Sequence, residues 1–164
     1  MRILIAGCGD VGTHLGLRLV DAGHEVWGLR LDSSELPDAL HGINADLSEP
    51  NTLNILPEGL DLVYYTAAAS GDRSEAGYRR AYLHGLRNVI NAALSQGSAL
   101  RHVFFTSSTS VYGQLEGEEV TEAISTVIQE HPCEVLVVSL GAAGAYLGTA
   151  GGVRHVPAPI VKPR

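Results

Sequence analysis

The sequence has 164 residues and a formal net charge of −7, which argues against nucleic acid as a partner because no basic surplus is present to neutralise phosphates. Its two cysteines give no disulfide framework. No apolar run reaches the ~18 residues of a membrane span, and a strand pattern that begins at residue 2 leaves no room for a signal peptide. We therefore expect a cytoplasmic protein of one domain, residues 1–164, with no membrane partner, and the oligomeric state is left open.

The chain opens with an apolar strand, Arg2 to Ala6, that runs into the stretch Gly7-Cys8-Gly9-Asp10-Val11-Gly12. Three glycines at this spacing, between a strand and a helical pattern, are typical of a dinucleotide-binding loop. In such a loop the first glycine makes the tight turn, the second lets the backbone approach a pyrophosphate, and the third lets helix and strand pack closely. We therefore predict cofactor contacts from this turn and the helix start, with a plain turn as the alternative: Gly7, Gly9, Asp10, Val11 and Gly12.

A helix from Val11 to about Ala22 and a second strand, His24 to Leu29, follow the loop. Arg30 comes at the end of that strand, where an acid would bind a ribose 2′-hydroxyl and an arginine would accept a 2′-phosphate. Arg30 therefore favours NADP over NAD as the cofactor. Two alternatives stay open: Asp32 reaches the ribose hydroxyl instead, or Arg30 is a surface charge.

Alternating strand and helix patterns continue to residue 106. The nearly continuous apolar run from Asp61 to Thr66 is typical of a strand covered on both faces of a parallel sheet. The predicted fold class is therefore α/β, a doubly wound parallel sheet of the Rossmann-like, three-layer α/β/α type. The other elements predicted in this region are short helices at Ser34–Leu40 and after Pro50, strands at Ile43–Leu47 and Arg101–Thr106, and a long amphipathic helix at Glu75–Leu94.

Several of these stretches together resemble one family. The glycine loop, the pair Asp46-Leu47, and the segments Thr66–Ala69, Tyr82–Val89 and Thr106–Gly113 are similar to the extended short-chain dehydrogenase/reductases, the NAD-dependent epimerase/dehydratase group. The resemblance covers about residues 1–113. It implies that Asp46 and Leu47 lie near the adenine, that Ala67 and Ala68 line the cofactor cleft, and that Ser108 matches the family's catalytic serine.

The family's acid–base pair has no counterpart in this sequence. Such enzymes use a tyrosine followed four residues later by a lysine, which lowers the pKa of the phenol for work near neutral pH. The one lysine is Lys162, and it follows none of the six tyrosines at that distance. A hydrogen-bonding or structural Ser108 is therefore favoured over a catalytic one, and no other catalytic residue is assigned. The histidines and cysteines show no metal-ligand spacing, so no metal site is predicted.

The end of the chain resembles a second family. Residues 121–164, above all Val137–Ala145 and Val153–Pro159, are similar to the phosphofructokinase branch of the ribokinase-like sugar kinases. This resemblance implies that Ser139, Gly141 and Gly144 lie near ATP. The elements predicted here are a helix at Thr121–Glu130, a sixth strand of the parallel sheet at 134–140, and a C-terminal β-hairpin of Ala145–Thr149 and Val153–Pro157.

Two resemblances that meet between residues 114 and 121 predict a chimera, engineered or natural, in which a foreign strand–helix unit completes the sheet. The interpretation favoured on this basis is a scaffold that binds at most NADP or NAD and lacks a complete catalytic site. The alternative is a small NAD(P)-dependent oxidoreductase or epimerase with an unrecognised acid/base residue. A sugar-kinase fragment is a third interpretation, and a dinucleotide is the only predicted partner.

Overall fold

The computed structural model describes residues 1–69, 71–72, 74–106, 135–139, 145–149 and 151–157. The chain divides into two compact units, Met1–Phe105 and Thr106–Arg164. A five-stranded sheet belongs to the first unit, and a three-stranded sheet belongs to the second. No helix in the described ranges is long and apolar enough to cross a membrane.

The sheet of the first unit is parallel throughout. Its strands are β1 (Arg2–Ala6), β2 (Glu25–Arg30), β3 (His41–Asn44), β4 (Leu62–Tyr65) and β5 (His102–Phe105). They lie in the order β3-β2-β1-β4-β5, so the chain moves outward from β1 to β3 and then returns to the other side of β1 for β4. The strand order therefore reverses between β1 and β4. In doubly wound sheets, ligands bind at such a reversal, beyond the carboxyl ends of the strands.

Helices lie between β1 and β2, between β3 and β4, and between β4 and β5. They are α1 (Asp10–Asp21), a 3₁₀ helix at Pro50–Ile55, α2 (Glu75–Tyr78), a π-helical turn at Arg79–His84, and α3 (Gly85–Ser95). The last three follow one another without a break, and we call them together the long helix. Pro50 occupies the start of the 3₁₀ helix, where its missing N–H costs nothing and its fixed φ suits a helical turn.

Alternate residues of the strands enter two separate cores, one on each face of the sheet, because strand side chains point alternately to opposite sides. Leu4 of β1 packs with the long helix and the 3₁₀ helix, whose contributions include Val89 and Leu53. Ile5 packs on the other face with Leu40 and with apolar side chains of α1. Both faces of β1 are thus covered, which explains its unbroken apolar sequence.

The predicted doubly wound parallel sheet is confirmed, but two local predictions for the first unit are wrong. Residues 34–40 form turns instead of a helix, closed by bonds from the Leu36 amide to Ser33 and from the Leu40 amide to Pro37. Proline at position 37 cannot donate an N–H to a continuing helix. The third strand ends at Asn44 instead of Leu47.

The second unit contains β6 (Val135–Ser139), β7 (Ala145–Thr149) and β8 (Gly152–Val156), all antiparallel. The predicted C-terminal hairpin is confirmed by the pairing of β7 with β8. The prediction that residues 134–140 form a sixth strand of the parallel sheet is wrong, since β6 pairs with β7 in a separate sheet. Five residues separate β6 from β7. Such a short connection can join two antiparallel strands but is too short for a parallel crossover, so these two strands pair as antiparallel neighbours. The predicted Thr121–Glu130 helix lies outside the described residues.

Candidate dinucleotide-binding site

A cleft of about 610 Å³ opens at the carboxyl ends of the strands of the first unit. The loops after β1, β2, β3 and β4 form most of its walls, and the start of the long helix closes it. It therefore lies at the reversal of strand order, and its volume is in the usual range for small-molecule sites. Most of the residues predicted to bind a cofactor line this cleft: Gly7, Gly9, Arg30, Asp46, Leu47, Ala67 and Ala68.

Three other predicted residues, Asp10, Val11 and Gly12, begin α1 beside the cleft and are not part of its lining. Asp10 and Val11 are exposed, whereas Gly12 is buried against the sheet. A Cβ on Gly12 would lie 2.9 Å from Cγ2 of Ile5 and 3.1 Å from Oγ1 of Thr66. Glycine at this position therefore allows helix and strand to approach closely, the role the sequence predicts for it.

The first glycine of the loop is required by the protein itself. Gly7 has a φ of +83°, a region that other residues rarely adopt, and a Cβ there would overlap the backbone of Ala67. The amides of Gly7 and Cys8 both donate to the carbonyl oxygen of Leu29, at 2.9 and 2.8 Å. These two bonds fix the turn between β1 and α1 against the end of β2.

The second glycine faces open space. The nearest heavy atom to a Cβ built on Gly9 is the Gly7 carbonyl oxygen, 4.0 Å away, so no packing within the protein demands glycine here. Gly9 is also the N-cap of α1, and no side chain caps that end of the helix. The first amides of an uncapped helix lack intrahelical acceptors, and together with the helix dipole they favour an anion. The loop therefore fits a phosphate group that approaches the backbone at Gly9.

Arg30 lines the cleft at the end of β2, and its guanidinium forms a long ion pair with Glu35. Its Nη2 lies 3.8 Å from Oε2 of Glu35, and that carboxylate is 80% exposed. Exposed pairs of this kind contribute about 0–1 kcal/mol, so the pair does little to hold Arg30 back from a ligand. Asp32, the alternative selector, lines the same part of the cleft.

The carboxylates that line the cleft are each anchored in their own loop. In each case a serine two residues later donates its amide to the aspartate: Ser34 to Asp32 at 2.9 Å, Ser48 to Asp46 at 2.8 Å, and Ser74 to Asp72 at 3.0 Å. Hydrogen bonds from these serines lower the pKa of Asp32 and of Asp72 below its ordinary value. Such Asx turns shape the loops after β2, β3 and β4 into the cleft walls.

The end of β4 and the long helix form a part of the site that was not predicted from the sequence. Tyr65, Asp72, Gly77 and Arg80 all line the cleft. Tyr65 is fully buried, and desolvation raises its pKa to about 12. Arg80 Nη2 lies 2.6 Å from Oδ2 of Asp72. One usable signal for this wall is present in the sequence, the spacing Asp-x-Ser that recurs after three successive strands.

Cys8 and Ser108, which were also considered from the sequence, lie outside the lining of the cleft or outside the described residues. Cys8 is buried, and desolvation raises the pKa of its thiol above the ordinary value, as suits an inert core cysteine. Ser108 lies outside the described residues. Among the described residues, no group of three or more histidine, cysteine or acidic side chains is placed to hold a metal ion.

Comparison with known proteins shows the family to which this chain belongs. The sequence pattern of the NAD dependent epimerase/dehydratase family matches residues 3–135. The chain belongs to this family. The epimerase/dehydratase match continues through residues 114–121, where a change of family was predicted from the sequence. No comparison supports the predicted chimera or the resemblance to sugar kinases. No curated protein matches the chain.

Solved structures of epimerase/dehydratase type share the fold. A family protein from Methylobacillus flagellatus is 41% identical with a TM-score of 0.54, over 69% of this chain and 39% of that one. UDP-galactose 4-epimerase is 28% identical with a TM-score of 0.57, over 71% and 41%. A short-chain dehydrogenase/reductase superfamily protein from Agrobacterium tumefaciens, with bound NAD, is 25% identical with a TM-score of 0.56, over 69% and 34%. The chain thus spans 34–41% of the length of these proteins.

Proposed function

We propose that this chain binds a nicotinamide dinucleotide, as the cofactor-binding part of an NAD(P)-dependent oxidoreductase or epimerase. The observation that carries the proposal is the uncapped start of α1 at Gly9, which faces open space at the reversal of strand order. A pyrophosphate would accept hydrogen bonds from the amides there. The adenosine half would lie along Asp46 and Leu47, and Ala67 and Ala68 also line the cleft.

NADP is the proposed cofactor because Arg30 lines the cleft at the end of β2 and is only loosely paired with Glu35. A 2′-phosphate would form a charge-assisted hydrogen bond with that guanidinium. Such a bond contributes about 1.5–3 kcal/mol, so NADP should bind roughly ten- to a hundredfold more tightly than NAD.

Calorimetric titration of the full chain with NADP and with NAD tests this proposal. We expect both to bind, NADP more tightly, and Arg30→Ala to bring the two affinities together. The matched control is Arg18→Ala, which removes an exposed arginine from the last turn of α1, away from the cleft. Failure of both dinucleotides to bind would overturn the proposed function, whereas equal affinities in the wild-type chain would overturn only the role of Arg30.

The oxidoreductase or epimerase reaction needs an acid/base group besides the cofactor. The sequence contains Ser108 but no tyrosine–lysine pair, and a general acid or base typically contributes ~10²–10⁴-fold to the rate. We therefore expect turnover of carbonyl and nucleotide-sugar substrates with NADPH to stay near background. Robust turnover that Ser108→Ala abolishes would show that the chain holds an acid/base residue that the sequence analysis did not recognise.

A further inference from the structure

The long helix departs from α-helical geometry where it reaches the cleft. From Arg79 to His84 it forms a π-helical turn, and the Gly85 amide donates to the carbonyl oxygen of Arg80, five residues back. In an α-helix that amide would donate to Ala81, four residues back. The π-helical turn therefore removes the usual partner of the Ala81 carbonyl. Such turns are rare and are frequently found at functional sites.

The side chain of Tyr65 supplies a hydrogen bond that replaces the missing backbone one. Its hydroxyl donates to the Ala81 carbonyl oxygen, so a side chain from β4 takes the place of the Gly85 amide as the donor to that oxygen. Gly85 makes room for the phenol, because a Cβ at that position would overlap the Tyr65 oxygen. Phe105 stacks on the Tyr65 ring with 5.8 Å between ring centroids and fixes its direction.

The π-helical turn changes which side chains can reach the cleft. One extra residue in a turn rotates everything on one side of it by about 100° relative to the other side, since an α-helix has 3.6 residues per turn. Beyond the turn, Val89 and Ala93 are buried in the core. With those residues kept in place, a regular α-helix would rotate Gly77 and Arg80 away from the cleft that they line.

Arg80 is well placed to meet an anionic ligand. Among the described residues that line the cleft, the cationic side chains are Arg30 and Arg80. The side chain of Arg80 is 54% exposed, and its ion pair with Asp72 holds the guanidinium toward the loop after β4. Asp72 is itself fixed by the Ser74 amide. A guanidinium held in this way retains free N–H donors for a phosphate oxygen.

We propose that Arg80 contacts a phosphate group of the bound dinucleotide, and that Tyr65 is the positioning residue that places Arg80 in the cleft by holding the π-helical turn. This inference rests on the proposed function for its ligand. It adds a cofactor-contacting residue on the long helix and assigns a role to a buried hydroxyl.

The test is a double-mutant cycle on the full chain, with the affinity for NADP measured by calorimetry. Arg80→Ala should weaken binding about tenfold, as expected for one charge-assisted hydrogen bond, and should reduce the dependence of affinity on salt. Tyr65→Phe should weaken binding less than Arg80→Ala. The double variant should bind no more weakly than Arg80→Ala alone, because Tyr65 acts through Arg80.

Two control variants match the two substitutions. Arg79→Ala removes the neighbouring arginine, which pairs with Glu75 and does not line the cleft. Tyr64→Phe removes the hydroxyl of the adjacent tyrosine, which stacks on Phe104 on the opposite face of the sheet. Both should leave the affinity for NADP and its salt dependence unchanged.

Amide hydrogen exchange gives a second readout that needs no ligand. Amides of the π-helical turn should exchange faster in Tyr65→Phe than in Tyr64→Phe. Unchanged exchange, or additive losses of affinity in the cycle, would overturn the role of Tyr65. Wild-type affinity in Arg80→Ala would overturn the phosphate contact while leaving the proposed function intact. If the wild-type chain does not bind NADP, the phosphate contact fails together with the proposed function, and exchange still decides the role of Tyr65.

Discussion

Gly7 and Gly9 are glycines for different reasons, which makes them a matched pair for experiment. Gly7 has a positive φ and lies against the backbone of Ala67, whereas Gly9 faces open space at the helix start. We expect Gly7→Ala to lower the free energy of unfolding by about 2–4 kcal/mol, from the cost of a left-handed conformation and from overlap. Gly9→Ala should leave that free energy within about 0.5 kcal/mol of wild type and should weaken NADP binding.

Thermal denaturation and calorimetric titration of both variants measure these effects. The expected pattern is a loss of stability in one variant and a loss of binding in the other. Equal loss of stability in Gly9→Ala would show that the protein itself needs glycine there, and the open space would then say nothing about a ligand.

The phenol of Tyr65 gives the folded chain a specific sensitivity to alkali. Its folded-state pKa is about 12, while an unfolded tyrosine titrates near 10. The folded state therefore holds this proton more tightly, and the resulting stability is present in full below pH 10 and is lost as the pH rises from 10 towards 12. Two pKa units correspond to about 2–3 kcal/mol. Urea denaturation at pH 9 and pH 11 should show this loss in the wild type and a smaller one in Tyr65→Phe.

At the scale of the elements, the loops after β2 and β4 are held by Asx turns that depend on ionised carboxylates. Serine hydrogen bonds lower the pKa of Asp32 and of Asp72, so these turns are at full strength above the ordinary aspartate value, near 3.9, and weaken as the pH falls through the lowered folded-state values. We expect the Ser34 and Ser74 amides to lose protection from hydrogen exchange on acidification. In Asp32→Asn that pH dependence should disappear at Ser34 and remain at Ser74.

At the scale of the whole molecule, residues 1–105 contain both apolar cores of the parallel sheet, since every buried residue of those two clusters belongs to this part of the chain. We expect a chain of residues 1–105 to fold and to bind NADP. Circular dichroism and Trp27 fluorescence during denaturation measure its stability. A midpoint close to that of the full chain would contradict the single cooperative domain that the sequence predicts for residues 1–164, and a large decrease would support it.

The amino-acid sequence by itself determined the parallel sheet and the glycine loop. Both depend on short-range features: apolar runs the length of a buried strand, helical spacing between them, and glycines at the spacing of a dinucleotide-binding loop. Gly7 makes the tight turn that this spacing predicts, with a φ of +83°, and Gly12 lies close to Ile5 as the spacing also predicts. Local patterns of this kind persist in the folded chain because each local preference agrees with the fold as a whole.

Only the tertiary structure decided the features that depend on contacts between distant segments. The contact of the Tyr65 hydroxyl with the Ala81 carbonyl, the π-helical turn beside it and the place of Arg80 in the cleft are examples, and the helical spacing of residues 75–94 does not predict them. The apolar sequence of β6 suits a strand in either kind of sheet, and its partner β7 decided the antiparallel one. Strand partners and side-chain insertions are chosen by long-range packing, which a periodic pattern within one segment does not encode.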